Sequence, residues 1–119
     1  MSRARPNIGS FSSEKEALDA VVARLVDALD PQAIWLFGSR ARGDHRPDSD
    51  FDFLVVSKPD GKFGSDDYRK VLRPTLDTGI DCEVVPCAKV DFDEAATLHT
   101  SFVAQIVKSG RLLYEASLS

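Results

Sequence analysis

The chain has 119 residues, enough for one domain with its own hydrophobic core and too few for two. Its composition, 43% hydrophobic and 29% charged, is that of an ordinary globule, and no apolar run approaches the roughly 20 residues that cross a bilayer. A formal charge of −4 argues against a protein that grips a nucleic-acid backbone, which calls for a basic footprint, although bound divalent cations would cancel part of it.

The basic start Met1-Ser2-Arg3-Ala4-Arg5-Pro6 is not followed by the apolar core of a signal peptide, so a cytoplasmic protein is expected. Residues 1–12 lack periodicity and are expected to form a flexible arm ahead of a domain at 13–116. Ser13 and Glu16 form a capping box, and Leu18, Val21, Val22, Leu25 and Leu29 follow at helical spacing until Asp30-Pro31. Ala33 to Phe37 is a short apolar run stopped by Gly38, the pattern of a strand buried on both faces. After a polar segment, Ser39 to Ser49, a second strand runs from Asp50 to Val56 with acids at its start.

Ser57 to Gly64 is a loop. Ser65 is expected to cap a helix through Tyr68, Val71 and Leu72 that Pro74 kinks or closes. Ile80 to Val85 is a third strand, ended by Pro86, and a single helix is expected from Asp93 to Ser109, with a last short strand at Leu112-Leu113-Tyr114. Strands alternating with helices predict an α/β (α+β) sandwich, a small sheet packed with helices. The two cysteines, Cys82 and Cys87, are too few for a disulfide framework and are expected to be reduced and buried.

The chemistry concentrates in Gly38-Ser39, a ten-residue spacer, and Asp50-Phe51-Asp52. Side chains two apart on a strand share a face, with Cα atoms roughly 6.5 Å apart. Two like charges at that distance repel by roughly 3 kcal/mol at an effective dielectric near 20. The arrangement becomes favourable when Mg²⁺ sits between the carboxylates, since that ion binds through a few carboxylates plus substrate phosphates. A glycine ending a buried strand lets an anion approach the backbone of the following turn. Ser39 adds a hydroxyl, and Arg40 and Arg42 offer fixed positive charge to triphosphate oxygens. Asp-x-Asp alone is common at strand starts, and Gly-Ser alone is an ordinary turn; their combination between two apolar strands is much rarer. His45, in the spacer, reads as an exposed loop residue, His99 as a surface residue, and Trp35 as core.

Gly38-Ser39-Arg40-Ala41-Arg42-Gly43 with Asp48-Ser49-Asp50-Phe51-Asp52 resembles the minimal nucleotidyltransferase family of the DNA polymerase beta-like superfamily. The resemblance spans roughly Glu14 to Glu115. It implies that fold, triphosphate contacts from Gly38 and Ser39, and two Mg²⁺ ions on Asp50 and Asp52 with ATP as substrate. It also implies a third carboxylate on a neighbouring strand, expected at Asp81 with Glu83 in reserve, ligating metal and helping to deprotonate the acceptor hydroxyl. Stand-alone members of this size are antitoxins whose partner is a small helical HEPN-domain toxin, so transfer of AMP to a tyrosine of such a partner is expected. The alternatives are a small-molecule or antibiotic nucleotidyltransferase subunit, an antitoxin that binds its partner without catalysis, and a nucleic-acid polymerase, which the acidic balance disfavours.

Overall fold

The computed structural model describes residues 5–117. Helix α1 (Glu14–Leu29) begins at Ser13, whose Oγ accepts from the Glu16 amide at 3.1 Å. The Glu16 carboxylate reaches one residue further back than the capping box predicts, accepting from the Ser12 amide at 3.2 Å and hydroxyl at 2.7 Å. The helix ends at Asp30, which adopts a left-handed conformation.

Strand β1 (Ala33–Phe37) follows, then a single-turn helix α2 (Ser39–Arg42) and strand β2 (Phe51–Val56). Helix α3 (Tyr68–Leu72) passes into a 3₁₀ turn at Arg73–Thr78, and strand β3 (Cys82–Cys87) leads to helices α4 (Lys89–Ala96) and α5 (Phe102–Ser109) and strand β4 (Arg111–Glu115). The sheet order is β3-β2-β1-β4, with β1 antiparallel to both neighbours and β2 parallel to β3.

Alternation along the strands divides the molecule into two apolar layers. On one face Ile34, Leu36, Phe51, Phe53, Val55 and Val84 pack under the buried stripe of α1, Ala17, Leu18, Val21, Leu25 and Leu29. On the other, Ala33, Leu54, Val56 and Cys87 meet Val103 and Ile106 of α5. This is the helix-on-sheet sandwich that the alternation of elements predicts. Gly110 allows the end of α5 to press onto β1, because a Cβ there would lie 2.6 Å from the Ile106 carbonyl and 2.7 Å from that of Leu36.

Five local expectations are corrected. The single helix from Asp93 to Ser109 is two helices, because Ser101 starts a new one: its Oγ accepts from the Ala104 amide at 2.9 Å. Ser65 does not cap α3; its hydroxyl donates to Asp91 at 2.6 Å and accepts from the Ala88 amide at 2.8 Å, tying the loop to the start of α4. Pro86 does not end β3, since that strand is a sheet edge where a missing N–H costs no ladder bond. Both cysteines are free as expected, but only Cys87 is fully buried; Cys82 is half-buried.

The fifth concerns the arm expected at 1–12. Residues 1–4 lie outside the described residues, but from Asn7 onward the segment is built into the domain. Asn7 is buried, its amide donates to the Pro47 carbonyl at 2.8 Å, and Ile8 and Phe11 pack against the core. The Asn7 side chain donates to the carbonyls of Ser49 (3.0 Å) and Asp81 (2.8 Å) and accepts from the Asp81 amide at 2.7 Å. One side chain thus joins the residue before Asp50 to the residue before β3. Asn7→Ala leaves the Asp81 amide without its acceptor, while the Ser49 and Asp81 carbonyls keep Arg40 and the Phe51 amide, and should cost about 1–3 kcal/mol in urea denaturation. Ser10→Ala, at an exposed position, should change stability by less than about 0.5 kcal/mol.

Candidate active site at the open end of the sheet

The register of the strands decides which side chains meet. Phe37 of β1 pairs with Asp52 of β2, and Asp52 pairs with Glu83 of β3. Directly paired residues share a face, so Glu83, Asp52 and Phe37 form a row across three strands. Asp50 immediately precedes β2, two residues from Asp52. Phe51 and Phe53, between and beyond the acids, are buried on the opposite face, where their rings stack at 6.2 Å. That anchoring holds the acids outward.

Gly38 sits at the end of β1 with φ 74° and ψ −156°, a backbone region open essentially to glycine alone. A Cβ at this position would collide with Oδ2 of Asp52. The glycine therefore serves two needs, the conformation of the bend and room for the carboxylate. The amides of Ala41 and Arg42 return to the Gly38 carbonyl at 3.2 and 3.1 Å, closing α2. The first amides of that turn, at Ser39 and Arg40, have no earlier helical carbonyl to bond.

Electrostatics mark Asp52 as the strained member. Its pKa is pushed up to about 6, first by burial, then by the charges of Glu83 and Asp50 and a hydrogen bond with Glu83, with Arg42 opposing. The Cys82 thiol, half-buried behind the acids, is pushed up to about 12 by burial and by Asp50 and Asp81, so it is no nucleophile.

The two arginines of the spacer part company. Arg42 is exposed, pairs with Asp44 at 3.3 Å, and its charge reaches Asp52. Arg40, expected to meet phosphate, is 4% exposed and faces away from the bend. Its guanidinium donates to the carbonyls of Pro47 (3.0 Å) and Ser49 (2.7 Å), lies 4.0 Å over the Phe51 ring, and pairs with Glu14 at 3.6 Å. Arg40 is a brace for the spacer. His45, expected to be exposed, is partly covered and lies 3.6 Å from Glu14.

The third acid also differs from expectation. The register places Glu83 beside Asp52, and after burial its charge is the largest influence raising Asp52. Asp81 lies one residue ahead of β3, with both its amide and carbonyl held by Asn7. Neither Asn7 nor the Arg40 brace could be read from motif spacing, because each acts on backbone groups brought close only by the fold.

The donor set suits a hard cation. Asp50, Asp52 and Glu83 offer only oxygen ligands, and Asp52 carries a charge that the fold alone leaves poorly compensated. Among the described residues no three His, Cys, Asp or Glu side chains enclose an ion by themselves. Further oxygens must therefore come from substrate or water, as is usual for Mg²⁺. The end of the sheet is an open shelf. A surface hollow of about 350 Å³, lined by Ser57, Lys58, Phe63, Lys89 and Asp93 among others, includes none of Asp50, Asp52 and Glu83.

The family model described as polymerase beta, nucleotidyltransferase, matches residues 21–118. A crystal structure of a Sulfolobus solfataricus protein assigned as a nucleotidyltransferase is similar over 89% of this chain and 93% of its own, with a TM-score of 0.54 and 19% identity. A toxin–antitoxin structure with AMP-PNP is similar over 82% of this chain and 73% of that one, with a TM-score of 0.50 and 22% identity. No curated protein sequence gives a significant match.

The raised pKa of Asp52 fixes the sign of a pH effect. With the folded value near 6 and the unfolded value near 3.8, protonation favours the folded state, so Asp52 lowers stability as pH climbs from about 4 to 6 and keeps it lowered above. Asp52→Asn should therefore melt higher than wild type at pH 8 in metal-free buffer, and the two Tm values should converge towards pH 4. A lower Tm for the variant at pH 8 would contradict the crowding described here.

Proposed function

Because the chain belongs to the polymerase beta-type nucleotidyltransferase family, we propose that it transfers a nucleoside monophosphate from an NTP to an acceptor hydroxyl, using the row of acids beside the Gly38-Ser39 bend. The observation that carries this reading is the convergence of Asp52, Glu83 and Asp50 on one shelf next to a glycine whose missing Cβ makes room for a carboxylate. A structural fold needs no such crowding.

In this reading Asp50, Asp52 and Glu83 would hold Mg²⁺, with substrate or water completing its oxygen ligands. The metal, when bound, supplies charge neutralisation at the reacting phosphate. The amides and hydroxyl of the Gly38-Ser39 bend hold the triphosphate, and Arg42 faces it from the exposed side of α2. Arg40 and Asn7 touch no substrate; they fix the carbonyl of Ser49 and with it the position of Asp50. The acceptor oxygen attacks the α-phosphorus, forming a new P–O bond as the bond to the bridging oxygen breaks. Pyrophosphate leaves with that electron pair. The acceptor proton passes to Glu83, which stands at the sheet edge where an acceptor approaches. Little covalent work falls to the protein, and positioning and electrostatics carry the rate.

For the acceptor we favour a protein: a tyrosine of a small helical HEPN-type toxin receiving AMP from ATP, which makes this chain an antitoxin. The open shelf supports that choice, since it leaves a second macromolecule room to approach the acids. The similarity to a chain from a toxin–antitoxin structure with AMP-PNP agrees with it.

The test is incubation with α-labelled ATP, Mg²⁺ and the co-encoded helical protein, followed by mass spectrometry of that protein. An added AMP on tyrosine supports the reading. Label on a small molecule alone, or neutralisation that survives Asp52→Asn with no label transferred, overturns the acceptor or the catalysis respectively. Within an active system, Glu83→Gln should lower kcat by about 100-fold or more, the range of a lost acid–base group, while Asp81→Asn should cost less than about 10-fold. The reverse order would return the third carboxylate to Asp81.

A further inference from the structure

The row of side chains at the open end of the sheet does not stop at the acids. Phe37 lies on the same face as Asp52, directly paired with it, and is the residue before Gly38. Against its ring, edge to face at 5.2 Å between centroids, stands Phe102, the first residue of α5. Phe102 is 55% exposed, an unusual state for a phenylalanine held so firmly. Its backbone is fixed on both sides. Ser101 caps the helix through the Ala104 amide and donates to the Ala95 carbonyl at 2.5 Å, while Val103 beside it is buried in the layer beneath.

We propose that Phe102, backed by Phe37, is the platform on which the nucleobase of the NTP stacks. The inference rests on the reading of the Gly38-Ser39 bend as the triphosphate site. Position decides between the two molecules that meet on the shelf. Glu83 lies on β3 at one side of Asp52, and Phe37, against which the Phe102 ring stands, lies on β1 at the other, the strand that ends in the bend. The exposed ring therefore flanks the nucleotide and stands across Asp52 from the acceptor's edge. Every base has a π-face, so a bare phenyl platform of this kind holds a base without selecting among the four. Phe37 keeps the ring from folding onto the sheet, because an edge-to-face pair is favourable only in that relative orientation.

The experiment measures binding of Mg²⁺·ATP and of Mg²⁺·tripolyphosphate, which has no base, to wild type, Phe102→Ala and Phe102→Trp. Tripolyphosphate should bind all three alike. ATP should bind Phe102→Ala about 5- to 100-fold more weakly, the loss expected for one base–aromatic stack, with similar losses for GTP, CTP and UTP. In Phe102→Trp the ATP affinity should be retained, and ATP but not tripolyphosphate should quench the new indole fluorescence relative to wild type, whose one tryptophan is Trp35. Unchanged ATP affinity in Phe102→Ala, with the acceptor KM raised instead, overturns the assignment and gives the ledge to the acceptor. Failure of tripolyphosphate to bind wild type would bring down the triphosphate reading itself, and the base platform with it.

Discussion

A single carboxylate sets the terms for this fold. Asp52 stands half-covered on the sheet, over a glycine that must lack a side chain, beside Glu83 and within reach of Asp50. Burial and two like charges all oppose its ionisation, and only Arg42 favours it. Left to relax, such a group would turn away into water. It is kept in place because Phe51 and Phe53 on either side of it are locked into the opposite layer, and a strand cannot rotate one residue without rotating its neighbours. The strain is supported by the core.

The remaining parts of the site serve that carboxylate at one remove. The Ser49 carbonyl, immediately before Asp50, receives donors from Arg40 and Asn7, and the Asn7 side chain also holds the backbone of Asp81. The two acid-bearing strands are thereby tied together at their entry, at the Asp81 carbonyl that also accepts the Phe51 amide, the first bond between them. A short polar residue near the N-terminus and a buried arginine thus do the work that a disulfide or a longer sheet would do elsewhere. This explains why the spacer, rich in charge and with Gly43 and Pro47 within it, can hold one conformation.

Much of this was legible in the sequence, and the failures share a cause. The stripe of α1 and the apolar strands are local patterns, read correctly because periods of 3.6 and 2 are fixed by backbone geometry, and the same period of 2 sets Asp50 and Asp52 on one face. What could not be read is what depends on register between distant segments. Twenty-five residues separate β2 from β3, and nothing in them states whether Asp52 will face Asp81 or Glu83. The burial of Arg40 is hidden for the same reason: an arginine next to a Gly-Ser turn looks like a phosphate ligand until a phenylalanine ring and two carbonyls are found around it. The break between α4 and α5 was available in principle, since Ser101 ahead of an apolar run is a capping signal, but a continuous apolar pattern concealed it.

The same geometry bears on how so small a domain can be selective. Its sheet presents acids on one side of Asp52 and aromatic rings on the other, and leaves the shelf open above. A nucleotide laid on it would meet charge at its phosphates and apolar surface at its base, and neither contact distinguishes one acceptor from another. Selectivity for the acceptor must then come from whatever closes the shelf. Phe102 and Val107 on α5 and Leu112 on β4 are exposed apolar side chains. Under the proposed function the domain would supply a general chemistry, and a partner covering it would decide where the nucleotide goes.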